Sequence, residues 1–201
     1  GTSDTTQIFN QNNPTNLAAN LHWRYLADSD QGGVYLTYGV DEIELVGKAD
    51  PNSSLLVQLD KADSNYLNAK LTGEGIVAVS TQDQKKQVLE INNYENDFIG
   101  LIQFGESLDI TALEGALGKG NAAISLSDGT KLTLLDSISS SPQTINGLDL
   151  GENSQIVLGE GTTLVLDLKT DNYLAKDSVE VGGSQLLGNG NLEIKQGQIT
   201  F

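Results

Sequence analysis

A single histidine, His22, and the absence of cysteine bound the chemistry open to this chain of 201 residues. Any Ser-His-Asp relay must pass through His22, yet no Gly-x-Ser-x-Gly or Gly-Asp-Ser-Gly stretch accompanies it. Its neighbours Trp23 and Tyr25 make an imidazole packed beside aromatic rings, at an end or a side of the fold, the plainer expectation. One histidine without thiolates leaves only carboxylates as metal ligands, and these suit hard cations rather than zinc. The best oxygen donors for Ca²⁺ sit in two loops, one with Asp28 and Asp30 (Asp28-Ser-Asp-Gln-Gly-Gly33), the other with Asp60 and Asp63 (Asp60-Lys-Ala-Asp63). Neither has alternating oxygen ligands closed by a distant bidentate Glu. Both read as solvated loops, and no metal or cofactor is expected.

Paired carboxylates are the remaining catalytic option, since glycoside cleavage needs two. The candidates are Asp41/Glu42/Glu44 and Asp149/Glu152, with no Arg and few Lys nearby to orient an anionic sugar. Acidic pairs on an outer surface are the plainer reading. An aromatic platform is the last candidate, from Trp23, Tyr25, Tyr35 and Tyr38. On strand parity Tyr38 shares a face with Val34 and Leu36 and belongs to the core, whereas Tyr35 faces outward. The surface binding candidates are therefore Tyr35, Asp28, Asp30, Asp60 and Asp63.

The elements that must carry these residues are clearest from Gly147 to Leu168. Leu148/Leu150, Ile156/Leu158 and Leu164/Leu166/Leu168 are three short pieces with apolar residues at every second position, the period of a half-buried strand. Between them lie Gly151-Glu152-Asn153-Ser154 and Gly159-Glu160-Gly161, where Gly and Asn accept positive φ cheaply. Three strands and two bends in this length make about one triangular coil of a β-solenoid. The pattern recurs. Tyr38-Gly39 aligns with Leu150-Gly151, and Ile43/Leu45 with Ile156/Leu158. Leu55–Leu59 aligns with Leu164–Leu168, Asn65-Tyr66-Leu67 with Asn172-Tyr173-Leu174, and Leu71–Val79 with Leu186–Ile194. Four blocks in one order indicate duplicated stacked coils.

Composition agrees with a narrow core: the apolar fraction is 38%, the aromatic fraction 5%, with 22 Gly and 3 Pro. The 27 acidic and 11 basic residues give a formal charge of −16. That weighs heavily against nucleic acid and anionic membranes as partners, since both need clustered Lys and Arg. No signal sequence, transmembrane run or methionine is present, so any targeting element is expected outside these residues.

Taken in order, Gly1 to Asn20 is polar and reads as a frayed edge or one strand near Ile8-Phe9. Strands follow at Val34–Tyr38 and Ile43–Val46, then from Leu55 to Phe104. Leu113-Glu-Gly-Ala-Leu-Gly118 is the one plausible helical turn, and Ser127-Asp128-Gly129-Thr130 is a tight turn. No linker divides the chain, so residues 1–201 read as one elongated domain. Roughly nine coils at about 4.8 Å each would span roughly 40 Å, with Leu150, Leu158 and Leu166 stacked inside.

Leu71-Thr-Gly-Glu-Gly75, Asn93-Tyr-Glu-Asn-Asp-Phe-Ile-Gly100, Ala116-Leu-Gly118 and Ile124-Ser-Leu-Ser-Asp-Gly-Thr-Lys-Leu132 resemble the passenger repeats of bacterial autotransporters. In those repeats an LTGxG turn precedes an NxYTG turn, then ALG, then a Gly-ended corner. His22-Trp-Arg-Tyr25 with Val34-Tyr-Leu-Thr-Tyr-Gly39 looks like the segment preceding these repeats in self-associating adhesins. The departure is Phe98-Ile99-Gly100 in place of Tyr-Thr-Gly. The resemblance covers most of residues 21–201. It implies an all-β, right-handed parallel β-helix (a three-faced β-solenoid), exported to the bacterial cell surface through an outer-membrane translocator barrel. It also implies a non-enzymatic role in cell aggregation, biofilm formation or host adhesion. The partners would be like molecules on neighbouring cells or a host-surface protein or glycan, and the segment would also nucleate passenger folding. Two alternatives stand: a β-helical polysaccharide hydrolase or lyase using paired carboxylates, and a plain β-sandwich binding domain.

Overall fold

Corner chemistry sets where the strands end. Ser107, Gly129 and Asn153 occupy the same corner in successive windings and all have positive φ (61°, 68° and 56°). Gly and Asn are the residues that reach this conformation most cheaply. Just inside the corner, the Thr130 hydroxyl donates to the Gly105 carbonyl at 2.6 Å, and Ser184 does the same to Val181. At the next corner Thr162 closes on Gly159 at 2.7 Å. These hydroxyls satisfy backbone carbonyls at the bends, within one bend for Thr162 and Ser184 and from the preceding winding for Thr130.

The computed structural model describes residues 4–28, 35–60, 64–82, 86–138 and 141–201; of residues 25–28 and 35–38 it describes the backbone. The first strands are β1 (Asp4–Asn10), β2 (Asn13–Asp28) and β3 (Tyr35–Leu45). A 3₁₀ turn at Pro51–Ser53 precedes β4 (Leu55–Leu59), β5 (Asn65–Leu67), β6 (Lys70–Thr81), β7 (Gln87–Ile91), β8 (Asp97–Phe104) and β9 (Leu108–Leu113). Next come β10 (Ala122–Leu126), β11 (Lys131–Leu135), β12 (Gln143–Ile145), β13 (Gly147–Leu150), β14 (Gln155–Leu158) and β15 (Thr163–Asp167). The last are β16 (Ser178–Glu180), β17 (Gln185–Gly188), β18 (Asn191–Gln196) and β19 (Gln198–Thr200).

From β3 onward every pairing between windings is parallel. One face is β3-β6-β8-β10-β13, with β4 also on β6. The second is β5-β7-β9-β11-β14-β17, and the third is β12-β15-β18. The molecule is an all-β parallel solenoid of about six windings in one domain. Its core is a set of aliphatic columns. Leu89, Ile110, Leu132, Ile156 and Leu186 stack in register on the second face. Val77, Ile102, Ile124 and Leu148 stack on the first. All but Leu186 are buried. Burying such side chains stabilises each winding by about 1.5–3 kcal/mol per residue, before the entropy of ordering the chain.

Buried amides tie the windings together. Asn96, fully buried, accepts the Leu71 amide at 2.8 Å and donates to the Ala116 carbonyl at 2.8 Å, spanning three windings. Gln143, also fully buried, accepts from Gly115 (2.9 Å) and Leu117 (3.1 Å) and donates to Gly118 (2.9 Å). Without disulfides, these side chains act as the staples.

Several expectations need correction. The strand expected near Ile8-Phe9 is β1, but the segment is not a frayed edge: Asp4 to Asn20 forms β1 and half of β2, which with β3 make an antiparallel meander covering the first winding. Ala18 and Ala19 are buried in the main core, and Asn10 fixes the meander to the Ser54 carbonyl at 2.9 Å. Tyr38-Gly39 is not a corner, because β3 runs straight through it with Gly39 opposite Arg24. The remaining aligned blocks are not equivalent either. Leu55–Leu59 joins the first face and Leu164–Leu168 the third, while Leu71–Val79 is one strand and Leu186–Ile194 bends from β17 into β18. Alternation marks a strand but not which face it joins. The windings number six rather than nine, roughly 25–30 Å at the usual strand spacing. The reason is that the meander consumes the first 45 residues. Leu158 and Leu166 are buried and Leu150 partly so, but they lie on three faces of one winding rather than in one stack. The helical turn expected at Leu113–Gly118 is a hydrogen-bonded turn over residues 114–117 that follows directly on β9.

Candidate functional site

Three surface features result from this architecture: an open ladder on the second face, a groove beside β12, and a strap over the first face.

Strand alternation puts every second residue of the second face outward. One outward column is Tyr66, Glu90, Thr111, Thr133, Val157 and Leu187, and a parallel one is Val88, Asp109, Lys131, Gln155 and Gln185. Tyr66 is 57% exposed and Leu187 43%. Gln155 donates to Gln185 at 2.9 Å, and Asp109 lies between Lys86 (3.5 Å) and Lys131 (3.7 Å). The result is a flat array of hydroxyls, amides, mixed charge and aliphatic carbon, repeating at the strand spacing. Such a surface makes many weak, additive contacts rather than one deep one.

The groove, of about 440 Å³, is lined by Tyr94, Glu95, Lys119, Ser141, Pro142 and Thr144 over a glycine floor at Gly115 and Gly118. It exists because the windings before β12 cross the third face as loops, which leaves β12 as the first strand of its sheet. Its one carboxylate is Glu95, so it holds no acid–base pair.

The strap runs from Asn172 to Lys176 across the outside of the first face. Tyr173 and Leu174 pack on an external apolar strip of Ile76, Leu101 and Ala123. The Tyr173 hydroxyl donates to Glu74 at 2.8 Å, Asn172 Nδ2 donates to the Asn146 and Lys176 carbonyls (2.6 and 2.9 Å), and Lys176 pairs with Asp149. Burial, followed by the Glu74 carboxylate, raises the Tyr173 phenol well above its ordinary value.

The sequence-derived candidates distribute as follows. Asp28 ends β2 and Tyr35 begins β3, where their backbones pair with each other. Their side chains, and Asp30 and Asp63 entirely, lie outside the described residues; Asp60 is exposed just after β4. Among the described residues no group of three or more potential metal ligands gathers. His22 sits in the meander, half-buried, with Nε2 3.3 Å from Glu44 and Nδ1 3.4 Å from the Thr5 hydroxyl. Thr5, His22 and Glu42 are directly cross-strand, so these are neighbours on one sheet face. Hydrogen bonds from Asn20 and then His22 hold the Glu44 carboxyl below its ordinary value. Glu42 accepts from Thr72 at 2.5 Å and Asp41 pairs with Arg24. Asp149 pairs with Lys176.

A carboxyl pair the sequence reading missed is Glu114 with Asp136. Glu114 is buried and accepts the Thr163 amide at 2.6 Å. Burial foremost, then Asp136, raises its pKa. Nothing in the sequence flags this pair, because the partners meet only across stacked corners. The outward ladder, by contrast, follows from strand parity once the register is known. No family model, curated protein or solved structure matches this chain.

Proposed function

We propose that the chain is a non-enzymatic, structural and adhesive segment of a surface-displayed bacterial autotransporter passenger. In this reading the solenoid stands outside the cell, delivered through an outer-membrane translocator barrel. It contacts like molecules on neighbouring cells, or a host-surface protein or glycan, through a lateral face. The observation that carries it is the open second face, six strands wide, with its two outward columns. The ordered passenger-type motifs from Leu71 to Leu132 support it, and they coincide with real corners and strands of the solenoid. The formal charge of −16 keeps such a rod soluble.

The test is settling and microscopy of cells displaying the chain, with Thr111→Lys and Thr133→Lys on the open face. Aggregation or host-surface binding by the parent and its loss in the double variant is the expected result. Parent display that neither clumps cells nor retains them on host surfaces would sink the proposal. For the polysaccharide-enzyme alternative, the groove that would have to hold a sugar is lined by one acid, Glu95.

A further inference from the structure

We infer that the groove beside β12 is a saccharide-binding site that takes a neutral sugar the length of a disaccharide. The site lies apart from the open second face and goes beyond the contact proposed there. Its volume of about 440 Å³ falls within the roughly 300–1,000 Å³ of small-molecule sites. The walls come from three consecutive windings. Tyr94 and Glu95 follow β7, Lys119 follows β9, Pro142 precedes β12 and Thr144 lies in it. Three windings enclose two strand spacings, so the groove runs roughly 10 Å along the solenoid axis.

Polar groups in the groove are unengaged. The lysines beside Asp109, Asp149 and Asp167 are ion-paired. Among the described residues, by contrast, the Tyr94 hydroxyl, the Glu95 carboxylate and the Lys119 ammonium have no partner in the chain. A cationic donor, an anionic acceptor and a phenol thus line one cavity with their hydrogen-bonding capacity unused.

The walls also select the class of ligand. Glu95 and Lys119 cancel in charge, and the net charge of −16 repels an anion. A single carboxylate does not make a cation site. A peptide strand finds no ladder on the floor, because Gln143 already holds its backbone groups. The Gln143 carbonyl accepts from Gly115 and Leu117, and its amide donates to Gly118 and Thr144. Recognition therefore falls to the side chains, which are amphipathic as a set. The rings of Tyr94 and Pro142 offer carbon to the C–H face of a sugar, whose partial positive charge suits the π cloud of tyrosine. Glu95 accepts from sugar hydroxyls and Lys119 donates to them, both as charge-assisted bonds. So few contacts put the dissociation constant on the order of 1 mM.

Saturation-transfer NMR on the purified chain reads binding of that strength. The neutral probes are cellobiose, maltose, lactose and N-acetyllactosamine; sialyllactose is the anionic probe and a capped valine tripeptide the peptide one. At least one neutral disaccharide is expected to show transfer, and sialyllactose less than lactose. Tyr94→Ala, Glu95→Ala and Lys119→Met should each weaken that binding about tenfold, and Tyr94→Phe, which keeps the ring, only about threefold. Glu95 and Lys119 are exposed, so these variants should melt with the parent. Absence of transfer from every neutral disaccharide would overturn the inference. So would binding undiminished in the Tyr94→Ala, Glu95→Ala and Lys119→Met variants, or stronger transfer from sialyllactose or the tripeptide. Any of these results would leave the second-face contact standing, because the groove residues lie outside that face.

Discussion

Glu114 Oε1 accepts the backbone amide of Thr163 at 2.6 Å, across two windings, and Asp136 from the winding between them acts on the same carboxyl to raise its pKa. Burial and that second acid keep Glu114 protonated to higher pH in the folded chain than in the unfolded one, where it titrates near 4.5. Between those two values the folded state binds more protons, so stability from this site is greatest at acid pH. It falls as pH rises from about 4.5 through the raised value, then levels off.

Glu114→Gln keeps an acceptor for Thr163 and offers Asp136 a permanent donor. The melting temperature of the variant relative to wild type is expected to rise between pH 4 and 7, with little difference at the acid end. Thermal scans by circular dichroism across that range check it; a constant offset would show that Glu114 and Asp136 are not coupled in this way.

Asn96→Ala leaves the Leu71 amide and the Ala116 carbonyl buried without partners. At about 1–3 kcal/mol per stranded group, the loss is expected to be about 2–5 kcal/mol in urea unfolding. Asn93→Ala, at a half-buried position of the same corner whose hydrogen bonds to Asn68 and Glu95 lie at the surface, should cost less, about 1 kcal/mol.

Two glycines separate close approach from backbone conformation alone. A Cβ at Gly100 would stand 1.8 Å from the Gly75 carbonyl oxygen, with φ at +149°, so Gly100→Ala should cost more than about 4 kcal/mol or abolish folding. Gly129 also has positive φ (+68°) but open space around it. Gly129→Ala should therefore lose only about 1–2 kcal/mol, the conformational term. Expression yield and urea midpoints distinguish the two.

Tyr173→Phe removes the hydrogen bond to Glu74 and should lower stability by about 0.5–1.5 kcal/mol. Tyr173→Ala also uncovers Ile76 and Leu101. A rise in binding of an apolar dye, with far-ultraviolet dichroism unchanged, would show that the strap lifts while the solenoid stays folded.

The fold class was legible because the corners are locally encoded. Gly129, Asn153 and Gly161 take the positive φ that their residue types favour, and the leucines between them keep strict alternation. What stayed hidden depends on register. The polar Asn10–Asn20 stretch becomes a sheet only because β2 finds β3, and its asparagines bond the loop around Asn52, partners 36 or more residues away. Tyr173 and Glu74 are 99 residues apart and meet only after the windings stack. The assignment of Tyr38-Gly39 as a bend failed for the same reason: Gly39 pairs with Arg24, and a cross-strand partner overrides a local turn preference.

The register offsets have a consequence for how such a rod changes length. Gly75 pairs with Gly100, and Gly100 with Ala122, so one full turn of chain separates positions that are already lateral neighbours. Excising residues 100–121 would splice Ile99 to Ala122 across a gap of one strand spacing, and everything downstream would slide along the axis as a rigid block. Deletions of whole turns should shorten the molecule in steps of about 4.8 Å, whereas deletions of half a turn would carry core leucines to the outside.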